Sequence, residues 1–66
     1  MKIILNGEPH EHRGDGTLSA VLREIEAAPA RVAVVVNETV VRGAERDAVR
    51  LKEGDRVEIL TFAGGG

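Results

Sequence analysis

Lys2-Ile3-Ile4-Leu5-Asn6-Gly7-Glu8-Pro9-His10-Glu11-His12-Arg13 is the stretch whose reading decides the fold. Lys2 to Leu5 is a mostly apolar run with β-branched Ile3 and Ile4 at its centre. Asn-Gly follows, the dipeptide that suits a two-residue type I′ turn because both central residues need positive φ. Glu8 to Arg13 is then the returning strand, antiparallel to the first. Pro9 has no amide hydrogen to give a ladder, so this strand belongs at a sheet edge. Its charged and polar side chains suit an edge as well.

Downstream, Gly14-Asp15-Gly16 reads as a turn and Thr17 as a helix cap, its hydroxyl accepting from an amide of the first turn. Leu18, Val21, Leu22 and Ile25 recur at i, i+3, i+4 and i+7, one apolar face of a helix. Arg23, Glu24 and Glu26 fall on the opposite face. Ala27-Ala28-Pro29 should end it, since the residue before proline resists the helical region. Val32 to Val36 is a β-branched run that fits a well-covered strand. Asn37-Glu38-Thr39 is a short turn and Val40-Val41-Arg42 a short strand. Gly43 to Arg50 is polar and should hold a brief helical turn, Leu51 a core plug, and Lys52-Glu53-Gly54-Asp55 a turn. Arg56 to Phe62 is the last strand.

One amphipathic helix must bury its stripe against one sheet. The first and last strands are the most apolar ends of the chain and should pair at the sheet centre. The expected fold is therefore α+β, a β-grasp or ubiquitin-like roll: a mixed sheet of about five strands with one main helix packed across it. Residues 1–66 form a single domain, with 63–66 as a mobile tail.

The composition narrows the function. The chain has 66 residues, enough for one domain. At this length only about 60% of the extended surface is buried, so stability should be modest. The net charge is −2, with basic residues scattered among acidic ones and one aromatic residue, Phe62. Nucleic-acid binding calls for a basic stripe and stacking platforms, and neither is present. No apolar run approaches the ~18 residues of a membrane span. Met1 to Leu5 meets Asn6-Gly7 too soon for a signal peptide, so a cytoplasmic location is expected. Cysteine is absent, which removes disulfides, a thiol nucleophile and cysteine-based metal sites.

The chain closes on Phe62-Ala63-Gly64-Gly65-Gly66. Glycine loses more freedom on ordering than any other residue. Placed after an apolar strand, Gly64 and Gly65 read as a thin, bendable arm, and Gly66 as the bearer of a free α-carboxylate. Frayed ends are common in domains, but they are usually mixed and polar. In the last strand, Val57 and Ile59 alternate with Leu60 and Phe62. If the first pair faces the helix, Leu60 and Phe62 lie outside and form an apolar docking patch.

Other candidates carry less. His10 and His12 lie two apart on one strand face and could ligate a metal with Glu8, although two histidines on a solvated edge explain the pattern as well. Ser19 has no histidine neighbour in sequence. Glu24 and Glu26 are two apart on a helix, do not face each other, and read as solvated charges. Asp15 and Asp55 sit in turns beside glycine, where aspartate bonds locally. No catalytic set emerges, no metal site is expected, and no cofactor should be bound by the chain itself.

The strand order, the length and the ending Gly54-Asp55-Arg56-Val57-Glu58-Ile59-Leu60-Thr61-Phe62-Ala63-Gly64-Gly65-Gly66 resemble the ThiS family of sulfur carriers in thiamine biosynthesis. Ile3 to Gly7 is similar to that family's first strand and Asn-containing turn, and Val34-Val35-Val36-Asn37-Glu38 to its central strand and turn. The resemblance implies a protein co-substrate, not an enzyme. A ThiF-like adenylating enzyme would use ATP and Mg to convert the Gly66 carboxylate to an acyl-adenylate. A sulfur donor such as a cysteine desulfurase would leave a thiocarboxylate there. A ThiG-like thiazole synthase would take the sulfur into the thiazole ring. Other readings remain open: a carrier for another pathway, like the small subunit of molybdopterin synthase; a ubiquitin-like modifier joining Gly66 to lysines; or an interaction module with an idle tail.

Overall fold

In the computed structural model, residues 1–27 and 31–61 are described. Five strands form one sheet: β1 (Lys2–Leu5), β2 (Glu8–Glu11), β3 (Val32–Val36), β4 (Thr39–Val41) and β5 (Arg56–Thr61), with helix α1 (Leu18–Glu24) between β2 and β3. The spatial order is β2-β1-β5-β3-β4. β1 and β2 are antiparallel, with Ile4 opposite Pro9, and β2 is an edge as Pro9 requires. β1 and β5 run parallel, pairing Ile4 with Arg56 and Leu5 with Val57. β3 is antiparallel to β5 from Val36↔Val57 to Val32↔Thr61. The mixed sheet has the expected pair of terminal strands at its middle.

Both hairpin turns bend through positive φ, at Asn6 (50°) and Gly7 (84°) and at Asn37 (47°) and Glu38 (72°). The alternation of strand side chains sorts residues between the helix and the outside. Ile3, Val34 and Val57 point to the helix and are fully buried, where they meet Leu18, Val21 and Leu22. Each such side chain contributes about 1.5–3 kcal/mol by leaving water. Leu51 plugs the same core.

Thr17 caps α1, accepting from the Ala20 amide, and is itself held by Asp15, which accepts from both the Thr17 amide (2.9 Å) and hydroxyl (2.7 Å). The helix ends earlier than the proline signal suggested. Glu26 adopts φ 56°. The Glu26 amide bonds to the Arg23 carbonyl and the Ala27 amide to the Leu22 carbonyl. That double bond closes the helix as a Schellman motif, with glutamate where glycine is usual. Ala28 and Pro29, given the terminating role from sequence, lie outside the described residues. Gly43–Glu45 forms the expected short helical turn, of 3-10 type. The segment after it is less polar in effect than its composition suggests, because Arg46 is buried, its Nη2 donating to the Val32 carbonyl at 2.8 Å. No described helix is long and apolar enough to cross a membrane.

Candidate functional site

β5 is the strand that precedes the glycine ending in the sequence, so the site is built from what holds that strand. On one flank, β3 accompanies β5 to its end at Thr61. On the other, β1 stops at Leu5 because the chain turns at Asn6-Gly7. Asn6 extends the ladder past that stop. Its amide donates to the Val57 carbonyl at 2.8 Å, and its side-chain Oδ1 accepts from the Ile59 amide at 2.7 Å. At the start of β5, Asn37 does the same from the β3 side. Its amide donates to the Arg56 carbonyl (2.8 Å), and its Oδ1 accepts from the Arg56 amide (2.9 Å). Asn37 Nδ2 also donates to Asp55 Oδ1, while Asp55 Oδ2 accepts from the Lys52 amide, the local bonding expected of that turn.

Leu60 points away from the helix, as the alternation predicted, and is 58% exposed. It pairs with Ala33 across the β3–β5 ladder, next to Val35, whose β4 partner Val40 is 68% exposed. The outward face of β5-β3-β4 thus carries an apolar strip near the end of β5. Phe62, Gly64, Gly65 and Gly66, the other residues assigned to docking, to the arm and to the reactive end, lie outside the described residues.

The histidine pair behaves differently from its sequence reading. His10 faces the helix from β2, and His12, just past the strand, is 3% exposed, not solvated. Both converge on Glu24 Oε1, His10 through Nε2 at 3.0 Å and His12 through Nδ1 at 2.9 Å. Glu24 Oε2 accepts from the Arg13 amide at 2.7 Å. The carboxylate in this cluster is therefore Glu24, which the helix face alone assigned to solvent, and Glu8 plays no part in it. Burial opposes ionisation of Glu24. The hydrogen bonds from His10, His12 and the Arg13 amide outweigh it and lower the carboxyl from 4.5 to about 2.

His12 is engaged on both ring nitrogens: Nε2 accepts from the Gly16 amide at 2.9 Å, and Nδ1 lies against Glu24 Oε1 at 2.9 Å and the Gly14 amide at 3.4 Å. Among the described residues no group of histidine and carboxylate side chains is arranged to hold a metal ion. The cluster ties β2 and its following loop to the last turn of α1. Ser19 donates to Asp47 and has no histidine beside it in its bonding.

Comparison with known proteins follows the same outline. The model of the ThiS family matches residues 3–66. The Sulfur carrier protein ThiS of Thermus thermophilus is 40% identical over 64 residues, covering 97% of this chain and 98% of that protein. The Thiazole synthase of Magnetococcus marinus is 46% identical over 66 residues, covering the whole of this chain but only 20% of that protein. The chain likewise spans 20% of the Thiazole synthase of Paramagnetospirillum magneticum, at 35% identity. The crystal structure of the thiamine biosynthesis protein (ThiS) from Geobacter metallireducens superposes with a TM-score of 0.81 at 35% identity, covering both chains completely.

Proposed function

Since the chain belongs to the ThiS family, we propose that it is a sulfur carrier of thiamine biosynthesis, acting as a protein co-substrate through the carboxylate of Gly66. The supporting observation is the family match itself, which runs through the terminal glycines on a fold whose central strand leads directly to them. The chemistry needs Gly66 to end the polypeptide. A carboxylate oxygen is a poor leaving group. A ThiF-like adenylating enzyme, using ATP and Mg, transfers AMP to it and releases pyrophosphate. A persulfide formed by a cysteine desulfurase then attacks the acyl carbon, AMP leaves and an acyl disulfide forms. A second thiol attacks the enzyme-side sulfur of that bond, a disulfide forms between the two thiols, and a thiocarboxylate remains on Gly66. The absence of cysteine fits a carrier whose sulfur rides on its own main chain.

A ThiG-like thiazole synthase is the receiver favoured over a molybdopterin-type partner, because relatives named thiazole synthase contain a segment 35–46% identical to this entire chain. Docking uses the outward apolar strip at Leu60, together with Phe62. A charged residue at the centre of such a contact costs roughly tenfold in affinity or more. Leu60→Asp should therefore weaken binding to both enzymes while leaving the circular dichroism spectrum unchanged; a lost spectrum would place Leu60 in the fold's support instead.

Intact mass after coexpression with the adenylating enzyme and a desulfurase tests the carrier reading. Replacement of one terminal oxygen by sulfur is expected. Adducts on other proteins would indicate a modifier, and an unchanged mass would remove the carrier function. A chain lacking Gly66 should fail to support growth without thiamine.

A further inference from the structure

Between Val57 and Thr61, β5 changes from a strand held on both sides to one held on one side. β3 continues along it to Val32↔Thr61, while β1 has ended at Leu5↔Val57. In the β3–β5 ladder the backbone groups of Arg56 turn to β3, where Asn37 takes them. Those of Val57 and Ile59 therefore turn to the β1 side. There the Ile59 amide meets the Asn6 side chain at 2.7 Å. Asn6 thus has two tasks. Its backbone makes the turn at φ 50°, and its side chain supplies the acceptor that a longer β1 would have supplied.

We propose that Asn6 is a positioning residue for the carrier reaction: by clamping Ile59 it steadies the end of β5, the strand that precedes Gly66 in the chain. This rests on the sulfur-carrier reading. Gly66 follows Thr61, the last residue of β5, by five residues, at most about 18 Å of chain. Without the Asn6 acceptor, the end of β5 from Ile59 to Thr61 is held by β3 alone and samples more orientations. A narrow enzyme site then receives the carboxylate less often, which lowers the apparent affinity for the carrier without altering the chemistry once it is seated. Asparagine suits the place because it tolerates the left-handed region and carries an acceptor on a short side chain.

The two tasks of Asn6 separate by substitution. Asn6→Gly keeps the positive φ and removes the acceptor, whereas Asn6→Asp keeps both. Asn37→Gly removes the corresponding acceptor at the entry of β5 and serves as the control. Amide exchange at Ile59 should accelerate about three- to tenfold in Asn6→Gly, the effect of one modest hydrogen bond. With the ThiF-like enzyme and MgATP, the carrier concentration giving half-maximal pyrophosphate release should rise by a similar factor, with the maximal rate unchanged. Asn6→Asp should restore both quantities. Asn37→Gly should accelerate exchange at Arg56 and leave the half-maximal concentration alone. An unchanged half-maximal concentration in Asn6→Gly, or an equal rise in Asn37→Gly, overturns the proposal. Failure of the unaltered carrier to be adenylated at any concentration overturns the carrier reading, and the role of Asn6 with it.

Discussion

Asn6 in the first hairpin and Asn37 in the second sit on opposite flanks of β5 and use the same pair of groups. Each gives its amide to a β5 carbonyl and takes a β5 amide on its side-chain oxygen. They differ in where they grip. Asn37 holds Arg56, at the entry, where the Lys52–Asp55 turn already fixes the backbone. Asn6 holds Val57 and Ile59, where β1 has run out. The same turn chemistry thus meets a backbone already fixed by its own turn at one end of the strand and a flank that β1 has left at the other. The hairpins also differ in their second turn residue, Gly7 against Glu38, and in their ties. The first is bound to α1 through His10, His12 and Glu24; among the described residues the second turn's ion pair is Arg56–Glu38 at 3.7 Å, with both side chains exposed.

The equivalence of the two asparagines breaks most visibly with a β-branched residue. Asn6→Val and Asn37→Val each force an unfavourable φ and delete an acceptor, so each should cost about 2–3 kcal/mol, read from urea midpoints. A large loss at one site and none at the other would end the equivalence. Next in size is the tie peculiar to the first hairpin. Glu24→Gln should cost about 1–2 kcal/mol at neutral pH. The folded carboxyl titrates near 2, against 4.5 for the free group. Its stabilisation is therefore complete above pH 4.5 and is lost as pH falls toward 2. Thermal melts across that window should show the loss in the unaltered protein and a much flatter response in Glu24→Gln. The smallest effect concerns the second turn residue. Glu38 holds φ 72° without glycine's freedom, so Glu38→Gly should raise stability by up to about 1 kcal/mol. Gly7→Ala should lower it by about the same. The exposed pair lost with Glu38 subtracts little.

Much of this architecture could be read from residue patterns because it depends on local chemistry. Asn6-Gly7 announces its turn, Pro9 its edge, Thr17 its cap, and the Leu18-Val21-Leu22 spacing its buried face. The β1–β5 pairing followed from a simple demand, that the most apolar strands take the middle. What escaped depended on neighbours distant in sequence. Glu24 has the position of a solvated helix residue, yet α1 lies over β2 so that its last turn reaches His10 and His12. Nothing in helical periodicity carries that crossing. Arg46 belongs to a polar stretch, and only the packing of the loop against β3 brings its guanidinium to the Val32 carbonyl. Asn6 was read for its backbone alone; its second bond spans most of the chain. The candidate site was legible in outline, through the outward turn of Leu60, because strand alternation is strict.

The parallel pairing of β1 with β5 has a consequence for how the molecule comes into being. Ile4 finds Arg56 only by closing a loop over nearly the whole polypeptide, and such distant contacts make for slow, all-or-none acquisition of structure. During synthesis the first hairpin and the helix emerge early but lack the strand that fills the middle of their sheet. A chain still attached to the ribosome before β5 has cleared the exit is thus an open sheet whose buried face, at Ile3 and Val34, lacks the Val57 that packs between them in the finished core.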